Sequence, residues 1–494
     1  MRKRQNAQQH MSSRRDFFKT LAKVGACGIV GASALGVPGS RVARAITAER
    51  KHFISIAAMG GWDSYLGHQA MLTSHLGNLP VDDYTDLRSG STLTRRFRED
   101  HIARVDDPRG GPRYMGPLWD DARMDDIFDK MAIWRGLVKE AEHDIGNNLL
   151  HHGSLSSYAA SFSALIAKDL ALDYPRPLHY VQVSTTTEDL HMGSGLIDSA
   201  YGIPTHIPDM ATWQSLTNKS SSNSDYRRAF VTSAVNNLST TSITQALTSP
   251  GASVFEAFRN SYQGSLKVRD TNYASSSEFS AIVAKYKAAA TDALNIAKSA
   301  GRYPTVSAID VGNVINSNSS LFFGYALAEF LTVNDLSAVV VLPTPTGDNH
   351  EFDDNHYVNL ALTYSCFRTL VQNLAKAQDV TRPGSSLLDC TTICMETEFD
   401  RTYDCSFLDA SNRSRPGTNH GSSTSVIFAG ARIQTGRVIG DVKTGATGMY
   451  AAFDEQPFAN PLPIDPTLGT PSQNGVLFSQ RALLPTLLSM FGIP

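Results

Sequence analysis

The sequence has little of several features that define common classes of protein. It holds five cysteines in 494 residues and no Cys-x-x-Cys pair, which argues against a cysteine-ligated zinc site. No apolar run beyond residue 45 is long enough to span a bilayer, so no transmembrane segment is expected there. Lys and Arg form no basic patch, and affinity for a phosphate backbone depends on such a patch. We therefore expect no nucleic acid among the partners.

The first 45 residues differ from the rest in charge and in pattern. They hold nine of the 44 Lys and Arg residues and one of the 47 acidic residues, so 35 basic and 46 acidic side chains, a formal charge of −11, remain beyond them. Arg14 and Arg15 stand before two phenylalanines, and a weakly apolar stretch follows over residues 24–38. Ala43-Arg44-Ala45 then offers a small-x-small cleavage site. We expect a twin-arginine signal peptide over residues 1–45.

Such a signal implies that the twin-arginine export machinery is a partner and carries the chain in folded form. We therefore expect a periplasmic or secreted protein. An ordinary amphipathic first helix is the alternative, but it does not account for the Ala-x-Ala end. A lipoprotein site at Cys27 is a weaker alternative, because Cys27 lies early and follows Lys23 closely.

Four cysteines lie beyond the leader: Cys366, Cys390, Cys394 and Cys405. Cys390 and Cys394 are too far apart along one extended strand to bridge each other. A disulfide from either of them to Cys366 or Cys405 is compatible with an oxidising periplasm. Buried free thiols are the equal alternative, because a chain that folds before export meets a reducing compartment first.

Apolar, β-rich segments separated by long helical or irregular stretches predict an α/β fold. Strands isolated in this way need crossover connections, which favour a mostly parallel sheet covered by helices on both faces. The segments are 53–59, 131–137, 178–183, 336–342, 391–395 and 425–429. Helical spacing is clearest at 275–301 and 360–374. We expect one domain over residues 46–494, with a helical cap insertion at about 205–320.

Short polar islands stand at the ends of several of these strand-like runs. They are Gly60-Gly61-Trp62-Asp63, Gly347-Asp348-Asn349-His350, Glu398-Phe399-Asp400-Arg401-Thr402 and Gly417-Thr418-Asn419-His420-Gly421. An open α/β sheet forms its ligand crevice at the carboxyl ends of its strands. Acidic residues and histidines gathered there are typical of a divalent metal site. We therefore expect Asp63, Asp348, Glu398 and His420 to lie at one sheet edge.

The order and spacing of the islands, behind a twin-arginine leader, resemble the domain of unknown function 1501 family. That family is similar in fold to alkaline phosphatases and sulfatases, so the resemblance implies an alkaline-phosphatase-like fold. It also implies a metal site that is formed by Asp63, Asp348, His350, Glu398 and His420. Three carboxylates and two imidazoles suit one or two ions of zinc, manganese, magnesium or calcium, with the histidines favouring transition metals.

The chain departs from the superfamily's pattern where a nucleophile is expected. Phosphatases and sulfatases of this fold place a Ser, Thr or Cys after the second strand, whereas residues 131–153 contain none of these. Glu142 and His143 stand there instead. If the chain hydrolyses an ester, we expect metal-activated water as nucleophile, with His143 or Glu142 as general base.

Two classes of function remain open. The first is an exported metal-dependent hydrolase of phosphate or sulfate esters, in which Arg401 pairs with the small anionic ester. The second is a non-catalytic binding or assembly scaffold that keeps the fold without a nucleophile. Each site residue also has a plain structural interpretation: Asp63 as a helix cap, Glu398 with Arg401 as a loop-fixing ion pair, and His420 as a donor to a carbonyl group.

Overall fold

A computed structural model describes most of the chain from residue 50 onward. The described ranges are 50–58, 60–62, 64–68, 83–85, 92–94, 104–107, 111–141, 143–154, 159–173, 176–183, 204–217, 273, 276–300, 309–344, 354–401, 405–408, 414–417, 420–445 and 458–494. Apart from residues 172 and 173, these belong to one compact unit: Arg50–Ala171, Arg176–Asn218 and Val268–Pro494. The second unit, Met1–Glu49, Leu172–Pro175 and Lys219–Lys267, falls almost entirely outside them. The predicted signal peptide therefore lies outside the described residues.

Eight strands of the described chain form one mixed sheet. They are β1 (His52–Ala58), β2 (Met131–Val138), β3 (Tyr180–Gln182), β4 (Thr205–His206), β5 (Val339–Thr344), β6 (Thr391–Thr397), β7 (Ser423–Gly430) and β8 (Arg437–Ile439). Their order across the sheet is β8-β2-β7-β6-β1-β5-β3-β4. Strand β7 is antiparallel to both of its neighbours, and the other pairs are parallel. The predicted α/β class with a mostly parallel sheet is confirmed.

The described residues also contain four two-stranded antiparallel pairs. These join Asp83–Thr85 to Thr92–Thr94, Arg104–Asp107 to Gly111–Tyr114, Cys405–Leu408 to Ser414–Gly417, and Val442–Gly445 to Phe458–Pro461.

Nine α-helices fall within the described ranges. They are α1 (Pro117–Asp121), α2 (His143–His152), α3 (Phe162–Asp173), α4 (Met210–Thr217), α5 (Ser277–Ser299), α6 (Val311–Ser317), α7 (Ser319–Val333), α8 (Asp354–Lys376) and α9 (Leu483–Phe491). Short 3-10 turns occupy Ser64–Leu66, Met124–Lys130, Leu388–Cys390 and Gln480–Ala482. None of the helices in this part of the chain is both long enough and apolar enough to cross a bilayer.

Both faces of the sheet are buried, which explains why its central strands are continuous apolar runs. Ile54 and Ile56 pack into a cluster that includes side chains of α5, α7 and α8. Phe53, which points to the opposite face, packs into a second cluster with side chains of α3 and α9. Burial of apolar surface on both sides, at about 25 cal/mol per Å², is the main stabilising contribution to such a fold.

Helix α5 shows how the sequence pattern produces a packed element. Ser276 caps its start, because the Ser276 hydroxyl accepts a hydrogen bond from the Phe279 amide at 3.1 Å. Phe279, Ile282 and Tyr286 then recur at helical spacing and are buried in the cluster that contains Ile54. The predicted helix is therefore present, and its buried face belongs to the same core as the sheet. The boundaries of the cap insertion stay a prediction.

The strand ends that carry the polar islands meet at one edge. Ala58, the last residue of β1, pairs with Thr397 at the end of β6 and with Thr344 at the end of β5. The island that contains His420 differs from the expectation, because it precedes β7 and does not follow a strand of the eight-stranded sheet. Since β7 is antiparallel, its first residue, Ser423, pairs with Val138 at the end of β2. Antiparallel direction therefore brings this island to the same edge.

The cysteines of the described core are free thiols. Cys366, Cys390 and Cys394 are buried and unbridged, which agrees with the free-thiol alternative for these three. Burial raises the pKa of each thiol, so they behave as small apolar side chains. The Cys405 side chain lies outside the described residues.

Candidate functional site

Backbone hydrogen bonds join the loops at the carboxyl edge of the sheet. The Arg401 amide donates to the Trp62 carbonyl at 3.0 Å, which joins the loop after β6 to the loop after β1. The Gly421 amide donates to the Asp400 carbonyl at 2.7 Å, which joins the same loop to the segment before β7. Arg401 and His420 also form an isolated antiparallel bridge. Segments distant in the sequence are thereby held side by side.

Glu398 is the acidic group at the centre of this edge. It follows β6 directly and is 1% exposed. Its Oε1 atom accepts a hydrogen bond from the Gly60 amide at 3.1 Å and lies 3.7 Å from His143 Nδ1. The Gly60 amide therefore holds this carboxylate by a hydrogen bond, and the imidazole nitrogen lies near the same oxygen atom.

His143 is the accessible member of the group. Its side chain is 47% exposed, and its ring centroid lies 4.6 Å from that of His420 in an edge-to-face arrangement. It begins helix α2 with a φ of 47°, in the left-handed region that non-glycine residues seldom adopt. Backbone strain of this kind is often found at functional positions, where surrounding contacts hold it in place.

Arg401 is completely buried, which bears on its predicted role. Its guanidinium donates a hydrogen bond to the Gly60 carbonyl, and its Cζ atom lies 5.3 Å from the centre of the Phe399 ring. These contacts tie the loop after β6 to the loop after β1. The ion pair with Glu398 and the pairing of Arg401 with a substrate anion both stay predictions.

A buried polar network behind the edge connects the same loops. Asp400 Oδ1 accepts from Trp62 Nε1 at 3.1 Å and from the Ser425 hydroxyl at 2.6 Å. Because that hydroxyl's proton points to Asp400, the 2.5 Å contact between Ser425 and His68 Nε2 makes the imidazole the donor. His68 Nδ1 then accepts from the Tyr364 hydroxyl.

The charges in this network are set mainly by burial. Burial raises the pKa of Asp400 to about 7, although its hydrogen bonds to Ser425 and Trp62 act in the opposite direction. Burial, with a contribution from Arg135, lowers the pKa of His68 well below its usual value. His68 is therefore neutral at physiological pH, as its tautomer requires.

A second buried pair lies deeper along β6. Glu396 Oε1 accepts a hydrogen bond from the Ser55 hydroxyl at 2.7 Å and lies 4.0 Å from His151 Nδ1. Burial raises the pKa of Glu396 to about 8, against the lowering effect of hydrogen bonds from Ser55 and Cys394. At neutral pH this side chain is mainly a neutral acid.

Four of the predicted site residues, Glu142, Asp63, Asp348 and His350, lie outside the described residues. Of the remaining four, Glu398, His143 and His420 are close together and Arg401 is behind them. No group of three or more His, Cys, Asp or Glu side chains in the described ranges could hold a metal ion. A metal centre at this edge would therefore require Asp63, Asp348 or His350 in addition to Glu398 and His420.

Several residues of this edge were not predicted. Phe399 and Asp400 lie between Glu398 and Arg401, inside an island that the sequence analysis had identified. Their position in that island was the signal that could have predicted them. Lys139 stands directly after β2, and its Nζ atom lies 5.3 Å from the centre of the Phe399 ring. A basic residue that follows an apolar strand was again a visible signal. His68 has no motif around it, and only the fold brings it to Ser425.

Helix α2 carries two further histidines near its end. His151 and His152 are buried at the end of α2, and the His152 Nδ1 atom lies 2.6 Å from the Ala159 carbonyl oxygen. Helix α8 begins at Asp354, and the side chains of Asp354 and His356 lie outside the described residues.

Fold and site together define an α/β protein with a polar cluster at the carboxyl edge of a mostly parallel sheet. A family model described as "Protein of unknown function (DUF1501)" matches residues 119–455. Since this match covers more than half of the chain, the protein belongs to the DUF1501 family, as its islands predicted. The matched range includes His143, Glu398 and His420 but not Asp63. No curated protein matches the sequence.

Proposed function

We propose that the protein is an exported, metal-dependent hydrolase that acts on phosphate or sulfate esters. The observation that carries this proposal is the convergence of His143, Glu398 and His420, which three separate segments bring to one sheet edge. Ligand sites of open α/β sheets lie at this edge. The finer fold assignment, alkaline-phosphatase-like with a helical cap insertion, belongs to the same proposal.

The chain's own residues have distinct roles in this proposal. Glu398 and His420, with Asp63, Asp348 and His350, would hold one or two divalent ions, and such ions would supply Lewis-acid stabilisation of the developing charge. His143 has the exposure that a general base needs, and Glu142 is its alternative. Arg401 contributes positive charge for the anion from behind the Phe399 ring.

No hydroxyl group takes the place of the superfamily's nucleophile after β2. The first hydroxyl beyond that strand belongs to Ser154, which comes after helix α2. A ten-residue helix is about 15 Å long, so α2 separates Ser154 along the chain from the strand end at Val138. Water is therefore the proposed nucleophile, and no covalent enzyme intermediate is expected.

The second candidate function is a non-catalytic binding or assembly scaffold in the periplasm. The observation that favours it is that two charged side chains of the site are hydrogen-bonded to the backbone: Glu398 accepts from the Gly60 amide, and Arg401 donates to the Gly60 carbonyl. Hydrogen bonds of this kind stabilise a loop without any ligand.

A metal and activity assay distinguishes the two candidates. We expect the purified wild type to hold a divalent metal by elemental analysis and to hydrolyse an aryl phosphate or aryl sulfate. His420→Ala and His350→Ala should lose both properties, and metal affinity should fall as pH drops through the histidine range, because only neutral imidazoles are ligands. Ser154→Ala is the matched control and should keep full activity.

Two results would contradict the proposal in different ways. A stable phosphorylated or sulfated protein, or an inactive Ser154→Ala variant that still binds metal, would mean that the nucleophile is misplaced. A wild type that holds no metal under loading conditions, with no hydrolysis of either ester, would favour the scaffold.

A further inference from the structure

The Phe399 ring is the common contact of the side chains at this edge. Its centroid lies 4.3 Å from that of His420 and 5.7 Å from that of His143. The Nζ atom of Lys139 and the Cζ atom of Arg401 each lie 5.3 Å from the same centroid. Four basic side chains from three segments of the chain therefore surround one phenyl ring.

These contacts form layers of increasing burial. His143 is 47% exposed, and His420 is partly buried. Phe399 and Arg401 are 0% exposed and Lys139 is 1% exposed, so the Lys139 and Arg401 side chains are more deeply buried than the two imidazoles. The Phe399 ring contacts both the two imidazoles and the more deeply buried Lys139 and Arg401 side chains.

The backbone at Gly61 has an unusual conformation that leaves space for the Phe399 ring. Gly61 has a φ of 76°, and a Cβ atom added there would lie 2.2 Å from Cε2 of Phe399. Only glycine tolerates both this φ and this approach. The loop after β1 is therefore shaped around the Phe399 ring.

We propose that Phe399 is the positioning residue of the site, held by the cations of Lys139 and Arg401, and that its ring orients the imidazoles of His143 and His420. A cation near an aromatic face stabilises the contact most where both are desolvated, as they are here. The proposal rests on the proposed hydrolytic function only in that the two imidazoles are then the reacting base and a metal ligand. Phe399 acts through these two imidazoles.

Ordinary core packing is the alternative explanation of these contacts. Packing requires a side chain of suitable volume, whereas positioning through the ring's cation contacts also requires the charge of Lys139. Lys139→Met keeps much of the length and apolar volume of lysine and removes the charge. Lys139→Arg restores a cation. This pair of variants separates the two explanations.

The test is an NMR measurement on the full-length mature protein with ¹³C-labelled histidine Cε1. Spectra are recorded at a pH above the usual range of histidine titration. Loss of the Lys139 charge then leaves the protonation state of the imidazoles unchanged. His143→Asn and His420→Asn assign the two resonances. The wild type is then compared with Phe399→Leu, Lys139→Met and Lys139→Arg. The control is Phe428→Leu, which removes a buried aromatic side chain of β7.

We expect Phe399→Leu to abolish the ring-current displacement of both imidazole resonances. Lys139→Met should move and broaden the same resonances although the ring is still present, and Lys139→Arg should return them towards their wild-type positions. The Phe428→Leu control should leave them unchanged. If the protein hydrolyses an ester, Lys139→Met should lower kcat by roughly tenfold or more with little change in KM, because misplaced groups react slowly.

Unchanged imidazole resonances in Lys139→Met would overturn the proposal and leave core packing as the explanation, even if Phe399→Leu fails to fold. The failure of the hydrolytic function gives a different pattern. In that case no variant has activity, but the spectra still respond to Lys139→Met and recover in Lys139→Arg. If the wild type is active and the spectra are unchanged in both Lys139 variants, only the positioning role is contradicted.

Discussion

At the scale of single residues, close approach determines the geometry of the site edge. Gly61 and Gly421 stand where no side chain fits: an added Cβ would lie 2.2 Å from the Phe399 ring and 2.5 Å from the Asp400 carbonyl oxygen, respectively. Such contacts are shorter than any that packed atoms tolerate. The glycines of the islands are therefore required by neighbours that are remote in sequence, and not only by their own turns.

Gly61→Ala tests this account. The added methyl group must displace the Phe399 ring, and the alanine must adopt a φ of 76°. We therefore expect a loss of about 2–4 kcal/mol of unfolding free energy. Thermal and denaturant unfolding measure this loss. Gly436→Ala is the matched control, because Gly436 has a φ of 69° but nothing lies within 4 Å of an added Cβ. Equal losses in the two variants would mean that the contact with Phe399 contributes nothing.

At the scale of elements, strand β6 forms part of the sheet and also positions two acidic residues, Glu396 and Glu398. Its register against β1 places Glu396 opposite Ala57, within the buried part of the sheet, and leads directly to Glu398 at the edge. The two acids therefore meet different environments although they are two residues apart. Glu396 contacts the Ser55 hydroxyl inside the sheet, whereas Glu398 contacts the loop amide of Gly60.

Burial of Glu396 predicts a specific dependence of stability on pH. Its pKa is raised from 4.5 to about 8 in the folded chain, so between these values the folded state keeps a proton that the unfolded state has released. The stabilisation from the neutral carboxyl is fully present below pH 4.5 and is lost as pH rises through about 8. Glu396→Gln, which cannot ionise, should remove this loss. The free energy of unfolding of this variant, relative to that of the wild type, should increase by a few kcal/mol as pH rises between these two pKa values.

Denaturant unfolding at several pH values measures this difference directly. Glu278→Gln, on the exposed face of α5, controls for the removal of one carboxyl group. A constant difference between Glu396→Gln and wild type from pH 4.5 to 8 would contradict the raised pKa.

At the scale of the whole molecule, the export route is the expectation with the widest consequence. The predicted leader ends at residue 45, and Arg50 is already 7% exposed, with its Nε atom 3.1 Å from Asp335 Oδ1. The chain is therefore integrated into the fold a few residues beyond the expected cleavage site. A protein that is exported in folded form needs its cleavage site outside the packed domain.

Changing Arg14-Arg15 to Lys-Lys should keep the unprocessed chain in the cytoplasm, because the twin-arginine pair is the recognised feature of the leader. The wild type should give a mature form that begins near Ile46. Cell fractionation followed by N-terminal sequencing measures both outcomes. A periplasmic form whose sequence begins before Ser12 would contradict the assignment of the signal peptide.

The sequence by itself determined the fold class and the position of the candidate site along the chain. Apolar runs such as 53–59 and 391–395 are local signals, and each became a strand because burial on both faces demands a continuous apolar segment. The helical stripe of α5 and its Ser276 cap are local in the same sense. Glu398, His143 and His420 were found from motifs that lie within a few residues of each one.

Only the tertiary structure decided how these residues meet. The direction of β7, which brings His420 to the edge, depends on pairing with β6 and β2 and leaves no mark on the strand's own apolar pattern. The burial of Arg401 and the Phe399 contacts of Lys139 likewise arise from segments that are hundreds of residues apart. Local patterns encode which faces are buried, whereas the choice of neighbour depends on packing and long-range hydrogen bonds, which a single segment does not contain.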